Sequence, residues 1–244
     1  MIRLDRWLVS LGIGSRTEVQ RRIRRGAVCV DGRPVTDPGT LLPEDAALTL
    51  DGAPLDSRLA RHVMLHKPAG LLTAARDRRQ PTVMDLLPPV YPALGCMPVG
   101  RLDKDTTGLL LFTTDGELNH RLLSPGRHVN KRYRALAEGR MTEEDVAAFA
   151  AGLDLGDFTA QPAELRLIGC SEETGLTTAE TVVAEGKFHQ VKRMFAATGH
   201  EVVRLHRCAF GPLELDPALA EGQWRELTEA ELAELRQAAG LEQK

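Results

Sequence analysis

Strand-patterned and helix-patterned stretches in this chain do not alternate strictly, which favours an α+β fold over a doubly wound parallel sheet. Strands are predicted near Val63–His66, Met97–Val99, Leu109–Thr113, Lys131–Glu138, Ala163–Ile168, Thr178–Ala184, Val202–Arg207 and Leu213–Leu215. Helical spacing falls at Asp115–Leu123, Thr142–Ala151, Lys187–Thr198 and Thr228–Ala239, the last opened by a capping box from Thr228 to Glu231. The expected architecture is a mixed, mostly antiparallel sheet flanked by helices, occupying residues 59–240.

Residues 1–58 read as a separate small module. Leu4, Trp7, Leu8 and Leu11 have helical spacing, and Ser15-Arg16-Thr17-Glu18 is a capping box for a second helix that Gly26 stops. Two short strands then surround the turn signal Asp31-Gly32. The second helix carries Arg16, Arg21, Arg22, Arg24 and Arg25 against the single acid Glu18. That imbalance predicts a cationic face that docks on phosphates, rather than an ordinary solvated one. A linker is expected around Pro54 to Arg61.

Net charge is −3, which by itself does not suggest a nucleic-acid binder. The distribution does. Residues 1–33 hold eight arginines and three acids, and residues 121–134 hold five basic residues and no acid, whereas acids gather in 34–57 and 212–244. Cations collected into patches suit a protein that meets phosphates at chosen places. The longest clean apolar run, about Leu109 to Phe112, is far short of a membrane span, and Asp5 interrupts any signal-peptide pattern. Cys29, Cys96, Cys170 and Cys208 have no metal-type spacing, so reduced thiols in a cytoplasmic protein are expected.

The segment from Gly100 to Leu111 carries the most chemical information. A loop rich in charge and hydroxyls, Arg101-Leu102-Asp103-Lys104-Asp105-Thr106-Thr107, runs straight into an apolar strand. Loops held by a rigid strand are where reactive groups usually sit. Spacing alone leaves Asp103 open between a turn or cap residue and a catalytic carboxylate.

Gly100-Arg101-Leu102-Asp103 with Thr106-Thr107-Gly108-Leu109-Leu110 resembles the catalytic motif of pseudouridine synthases. Lys67-Pro68-Ala69-Gly70, Lys131-Arg132-Tyr133 and the run Glu185 to Phe195 follow in that family's order and spacing. Residues 3–50 resemble its S4-type RNA-binding module, so the likeness spans nearly the whole chain. The sequence His189-Gln190-Val191-Lys192-Arg193-Met194 is most similar to the members that modify small-subunit (16S) ribosomal RNA, with Phe188 where that group often has tyrosine.

The resemblance implies an enzyme that isomerises uridine: the sugar–nitrogen bond breaks, the base turns, and it rejoins through carbon. That change is redox-neutral and releases nothing, so neither cofactor nor metal is expected. It needs an ionised carboxylate beside the anomeric carbon and a platform for the detached base. By resemblance these are Asp103 and Tyr133. Lys192 lies about 40° past the edge of an apolar arc formed by Phe188, Val191, Met194 and Phe195. A lysine there either snorkels to water or turns inward to pair with an anion; the family pattern favours pairing with Asp103. Arg101 has two candidate tasks, clamping a phosphate or filling the gap left by the extruded nucleotide, beside a plain salt bridge. Lys67, Lys131, His189 and Arg193 are expected on the substrate side, with Lys67-Pro68-Ala69-Gly70 shaping the floor of the site. The implied partner is 16S ribosomal RNA or an assembling small subunit, met by a monomer without membrane attachment.

Two rival readings share some of these residues. An S4 module on an inert domain would bind RNA without modifying it, but leaves the joint presence of Asp103, Tyr133 and Lys192 unexplained. A metal-dependent nuclease would use Asp103 and Asp105 with Asp115 or Glu117, but the motif offers no clustered ligand set.

Overall fold

The computed structural model describes residues 1–241 and divides into two compact units, Met1–Arg61 with Leu87–Met97, and His62–Leu86 with the chain from Pro98 onward. The last residues of the acidic C-terminal stretch, 242–244, lie outside the described residues.

In the first unit, α1 (Leu4–Ser10) leads to α2 (Arg16–Arg24). The capping box closes both ways: the Glu18 amide donates to the Ser15 hydroxyl, and the Ser15 amide donates to the Glu18 carboxylate at 2.8 Å. Val19 and Ile23 turn inward and are fully buried, which leaves Arg21, Arg22, Arg24 and Arg25 exposed on the opposite side. β1 (Val28–Val30) and β2 (Arg33–Pro34) are joined through Asp31 and Gly32, with φ of 47° and 77°, the left-handed pair that a two-residue hairpin turn requires. β3 (Leu48–Leu50) and β4 (Ala53–Leu55) extend this sheet in the order β2-β1-β3-β4. Leu4, Trp7, Leu8, Val19, Ile23, Val28 and Leu48 form its core.

Two features of this unit could not be anticipated from position in the chain. The start of the segment expected as a linker lies in β4, and at its end Arg61 is buried and donates to Asp56 at 2.9 Å. Leu87–Met97 groups with this unit although its place in the chain assigns it to the larger domain. The cause is apolar burial, since Val90 and Leu94 pack on the same core while Tyr91 and Cys96 are buried.

The second unit is built on one mixed sheet. Its strands are β5 (His62–Lys67), β6 (Thr107–Thr113), β7 (Lys131–Glu138), β8 (Glu164–Cys170), β9 (Leu176–Val183), β10 (Val202–Phe210) and β11 (Trp224–Glu226). They lie in the order β8-β9-β7-β10-β6-β5-β11, and β10 beside β6 is the parallel pair among otherwise antiparallel neighbours. β6 is buried on both sides, so it reads as a continuous apolar run rather than an alternating one. α3 (Gly116–Leu123) and α6 (Glu229–Ala238) contribute Leu118, Leu122 and Leu235 to a cluster with Leu109, Leu111 and Phe210. α4 (Glu143–Ala151) and α5 (Gln190–Ala197) meet through Phe149 and Phe195, ring edge to ring face at 5.2 Å.

α5 begins later than its apolar spacing predicts. His189 sits at φ 49° as the residue before the helix, and Phe188 falls outside it and is 74% exposed. The buried arc is therefore Gln190, Val191, Met194 and Phe195, without Phe188.

Candidate active site

The loop before β6 is pinned from beneath by a buried cation. Lys67, at the end of β5, has no solvent exposure, and its ammonium donates to the carbonyls of Pro68, Asp103, Lys104 and Thr106 at 2.9 to 3.2 Å. Burial holds its pKa down at about 8. A second anchor is Thr73, whose hydroxyl donates to the Leu102 carbonyl at 2.7 Å and accepts from the Leu102 amide at 3.2 Å. The Gly70 amide donates to the Lys104 carbonyl at 2.7 Å. These ties fix the backbone on both sides of Asp103.

Gly108 fixes the start of β6. Its φ is 107°, and a Cβ there would lie 2.3 Å from the Arg207 carbonyl oxygen, so only glycine lets β6 approach β10 this closely. Arg207, the register partner of Tyr133 on the neighbouring strand, is buried and donates to the Leu109 carbonyl at 2.7 Å.

A small cleft opens above this loop. Arg101, Asp103, Tyr133, Glu185, His189 and Lys192 are among its lining residues. Tyr133 projects from the middle of β7 and is nearly buried, while the Asp103 side chain keeps 28% exposure. Two groups able to carry positive charge face that carboxylate, His189 Nε2 at 3.4 Å and Lys192 Nζ at 3.8 Å. Lys192 does turn toward the cleft, but its tighter partner is Asp105, whose two oxygens accept at 2.6 and 2.7 Å. That bond holds the Asp105 pKa below the usual carboxylate range. Arg101 is exposed at the cleft and has no side-chain partner among the described residues.

Three residues expected on the substrate side are otherwise engaged. Lys67 is the internal pin just described. Lys131 is buried, donates to the Ala184 carbonyl at 2.9 Å and lies 5.6 Å from the centre of the Phe210 ring; burial lowers its pKa to about 8. Arg193 is held by Asp157, by the Leu155 carbonyl at 2.6 Å and by the Phe158 ring face. Neither Lys131 nor Arg193 lines the cleft. In the first unit Arg16 lies 3.7 Å from Asp5, whereas Arg21, Arg22, Arg24 and Arg25 are exposed without ion pairs among the described residues. Sequence reasoning passed over Asp105 as the lysine's partner and the buried Arg207 in register with Tyr133. The alternation of Leu205 and Arg207 along β10 was the available signal for the latter.

The family model described as RNA pseudouridylate synthase matches residues 61–197, and the S4 domain model matches residues 2–47. Across 95% of its length the chain is 40% identical to the ribosomal small subunit pseudouridine synthase A of Escherichia coli, of which it covers 99%. This chain belongs to the RNA pseudouridylate synthase family. It is an isomerase of that family, with an S4 RNA-binding domain at its N-terminus. A Bacillus subtilis relative, an uncharacterized RNA pseudouridine synthase named YtzG, is 43% identical over 95% of this chain and 97% of its own. A crystal structure of a pseudouridylate synthase aligns with a TM-score of 0.65 at 32% identity, covering 96% of this chain and all of the other. Among the described residues no helix is long and apolar enough to cross a membrane, and no three His, Cys, Asp or Glu side chains are grouped as metal ligands would be.

Proposed function

We propose that this pseudouridine synthase isomerises one uridine of small-subunit (16S) ribosomal RNA, in the cytoplasm, with Asp103 as its reacting carboxylate and no cofactor. The observation that carries this reading is a single half-buried carboxylate set between two nitrogen groups in a cleft that an inward-facing tyrosine also lines. The relatives named for the ribosomal small subunit, together with the S4 domain, support the RNA class.

The chemistry follows from the placement of these groups. A uridine must leave its stack before its glycosidic bond can be reached. Attack by Asp103 on the anomeric carbon, or removal of a proton from the neighbouring sugar carbon, then releases the base; both routes use the same ionised carboxylate. His189 Nε2 at 3.4 Å and Lys192 Nζ at 3.8 Å flank the carboxylate on the protein side. The Tyr133 ring offers the face on which uracil turns before its C5 bonds to the anomeric carbon, displacing the Asp103 carboxylate on the first route or with the abstracted proton returned to the sugar on the second; the C5 proton then leaves and N1 ends protonated. Electrons balance within the substrate, so no redox partner is called for. Arg101 is free to clamp a flanking phosphate or occupy the vacated stack. Lys67 belongs to the loop's scaffold.

The test is to map pseudouridines in ribosomal RNA from cells with and without this protein. Loss of one 16S position on deletion, restored by the wild-type gene, is expected. An unchanged 16S pattern would sink the substrate assignment.

A further inference from the structure

Phe188 is the most exposed aromatic side chain of the described residues, and it stands beside the candidate active site. Its ring lies 3.8 Å from that of His189 at an interplanar angle of 18°, a stacked pair, and its 74% exposure leaves the other face to solvent. The turn beneath it is firmly set. The Lys187 amide donates to the buried Gln190 side chain at 3.1 Å, and that side chain donates to Glu185 at 2.8 Å. His189, the inner member of the stack, reaches Asp103 at 3.4 Å. An open aromatic face is thus held on a rigid turn, linked through one ring to the reacting carboxylate.

Flipping a uridine strips its neighbour in the strand of one stacking partner, at a cost of a few kcal/mol. An aromatic side chain can replace that partner without regard to base identity, because every base has a π-face. Cations beside the pair, Arg101 in the cleft and Lys187 next in sequence, suit a polyanion rather than an apolar peptide.

We propose that Phe188, backed by His189, is a stacking platform for the nucleobase next to the extruded uridine. This rests on the reading that the Asp103 cleft takes that uridine.

The experiment is single-turnover kinetics on a synthetic RNA spanning the modified 16S uridine, intact or with an abasic nucleotide at its 5′ or 3′ neighbour. Phe188→Ala, an exposed change, should raise the RNA concentration for half-maximal rate about tenfold on intact RNA, as loss of one base–aromatic stack does. Phe188→Tyr should behave as wild type. On one of the abasic RNAs, wild type should be weakened by a similar factor and Phe188→Ala should add nothing further. Equal behaviour of wild type and Phe188→Ala on intact RNA would overturn the platform. So would a Phe188→Ala penalty that persists undiminished on both abasic RNAs, which would mean that the ring touches the target uracil or a protein group instead. Absence of any wild-type turnover on intact RNA would instead refute the substrate assignment itself.

Discussion

Replacing Lys67 with methionine separates a scaffold from a substrate contact. The ammonium is fully buried and donates to four backbone carbonyls around Asp103. Burial lowers its pKa from 10.5 to about 8, a penalty of about 3 kcal/mol against the charged form. Charge-assisted bonds contribute roughly 1.5–3 kcal/mol each, so the set outweighs that penalty. Methionine fills most of the volume and removes the penalty, but leaves carbonyls without their donor. The net loss should be at least about 3 kcal/mol, comparable to breaking a buried charged contact. For a chain of this size that corresponds to about 6–12 °C in the unfolding midpoint. Differential scanning calorimetry reads the shift, and single-turnover kinetics below the transition should show a large fall in rate with RNA affinity nearly unchanged. A Lys67→Met protein with the wild-type midpoint and rate but weaker RNA binding would refute the scaffold role and restore a substrate contact.

Two further expectations concern the N-terminal unit. Changing Arg21, Arg22, Arg24 and Arg25 to glutamine should weaken RNA binding and flatten its salt dependence, by a slope of about 0.9 for each duplex phosphate that is no longer neutralised. The rate at saturating RNA should change far less; salt titrations that superimpose on wild type would mean these arginines only face solvent. Asp5 is buried and accepts bonds from the Arg3 side chain, Gln20 and the Arg6 amide, with the Arg3 bond the main cause of a pKa lowered from 3.8 to about 2. Its folded pKa lies below its unfolded one, so its contribution is present above about pH 4 and lost as pH falls toward 2. Asp5→Asn should destabilise this unit at neutral pH and remove that acid-range dependence; identical urea midpoints for mutant and wild type at pH 7 would contradict the pairing.

Local signals in the sequence translated directly into structure. The Ser15–Glu18 and Thr228–Glu231 capping boxes and the Asp31-Gly32 turn each depend on residues within three positions, and all formed as their chemistry dictates. The centre of the mixed sheet was legible because a strand buried on both faces, such as β6, stands out as a short continuous apolar run. Roles fixed by distant partners were not legible. Lys67 binds carbonyls nearly forty residues away, which no side-chain pattern records. Lys131 and Arg193 look in sequence like the cations beside them, yet an alternating strand buries the first and Asp157 captures the second. Phe188 matched the helical arc of α5, but the left-handed backbone at His189 starts the helix after it. Tyr91 and Cys96 belong to the first unit through tertiary burial alone.

The reacting carboxylate is tested most directly by Asp103→Asn, assayed for tritium release from 16S RNA labelled at uridine C5. Asparagine keeps the shape of the side chain and its place beside His189 and Lys192, but can neither attack the anomeric carbon nor take a sugar proton. The variant should bind RNA and melt as wild type does, with single-turnover release falling to background. Release at about a tenth of the wild-type rate or faster would mean that another group does the chemistry.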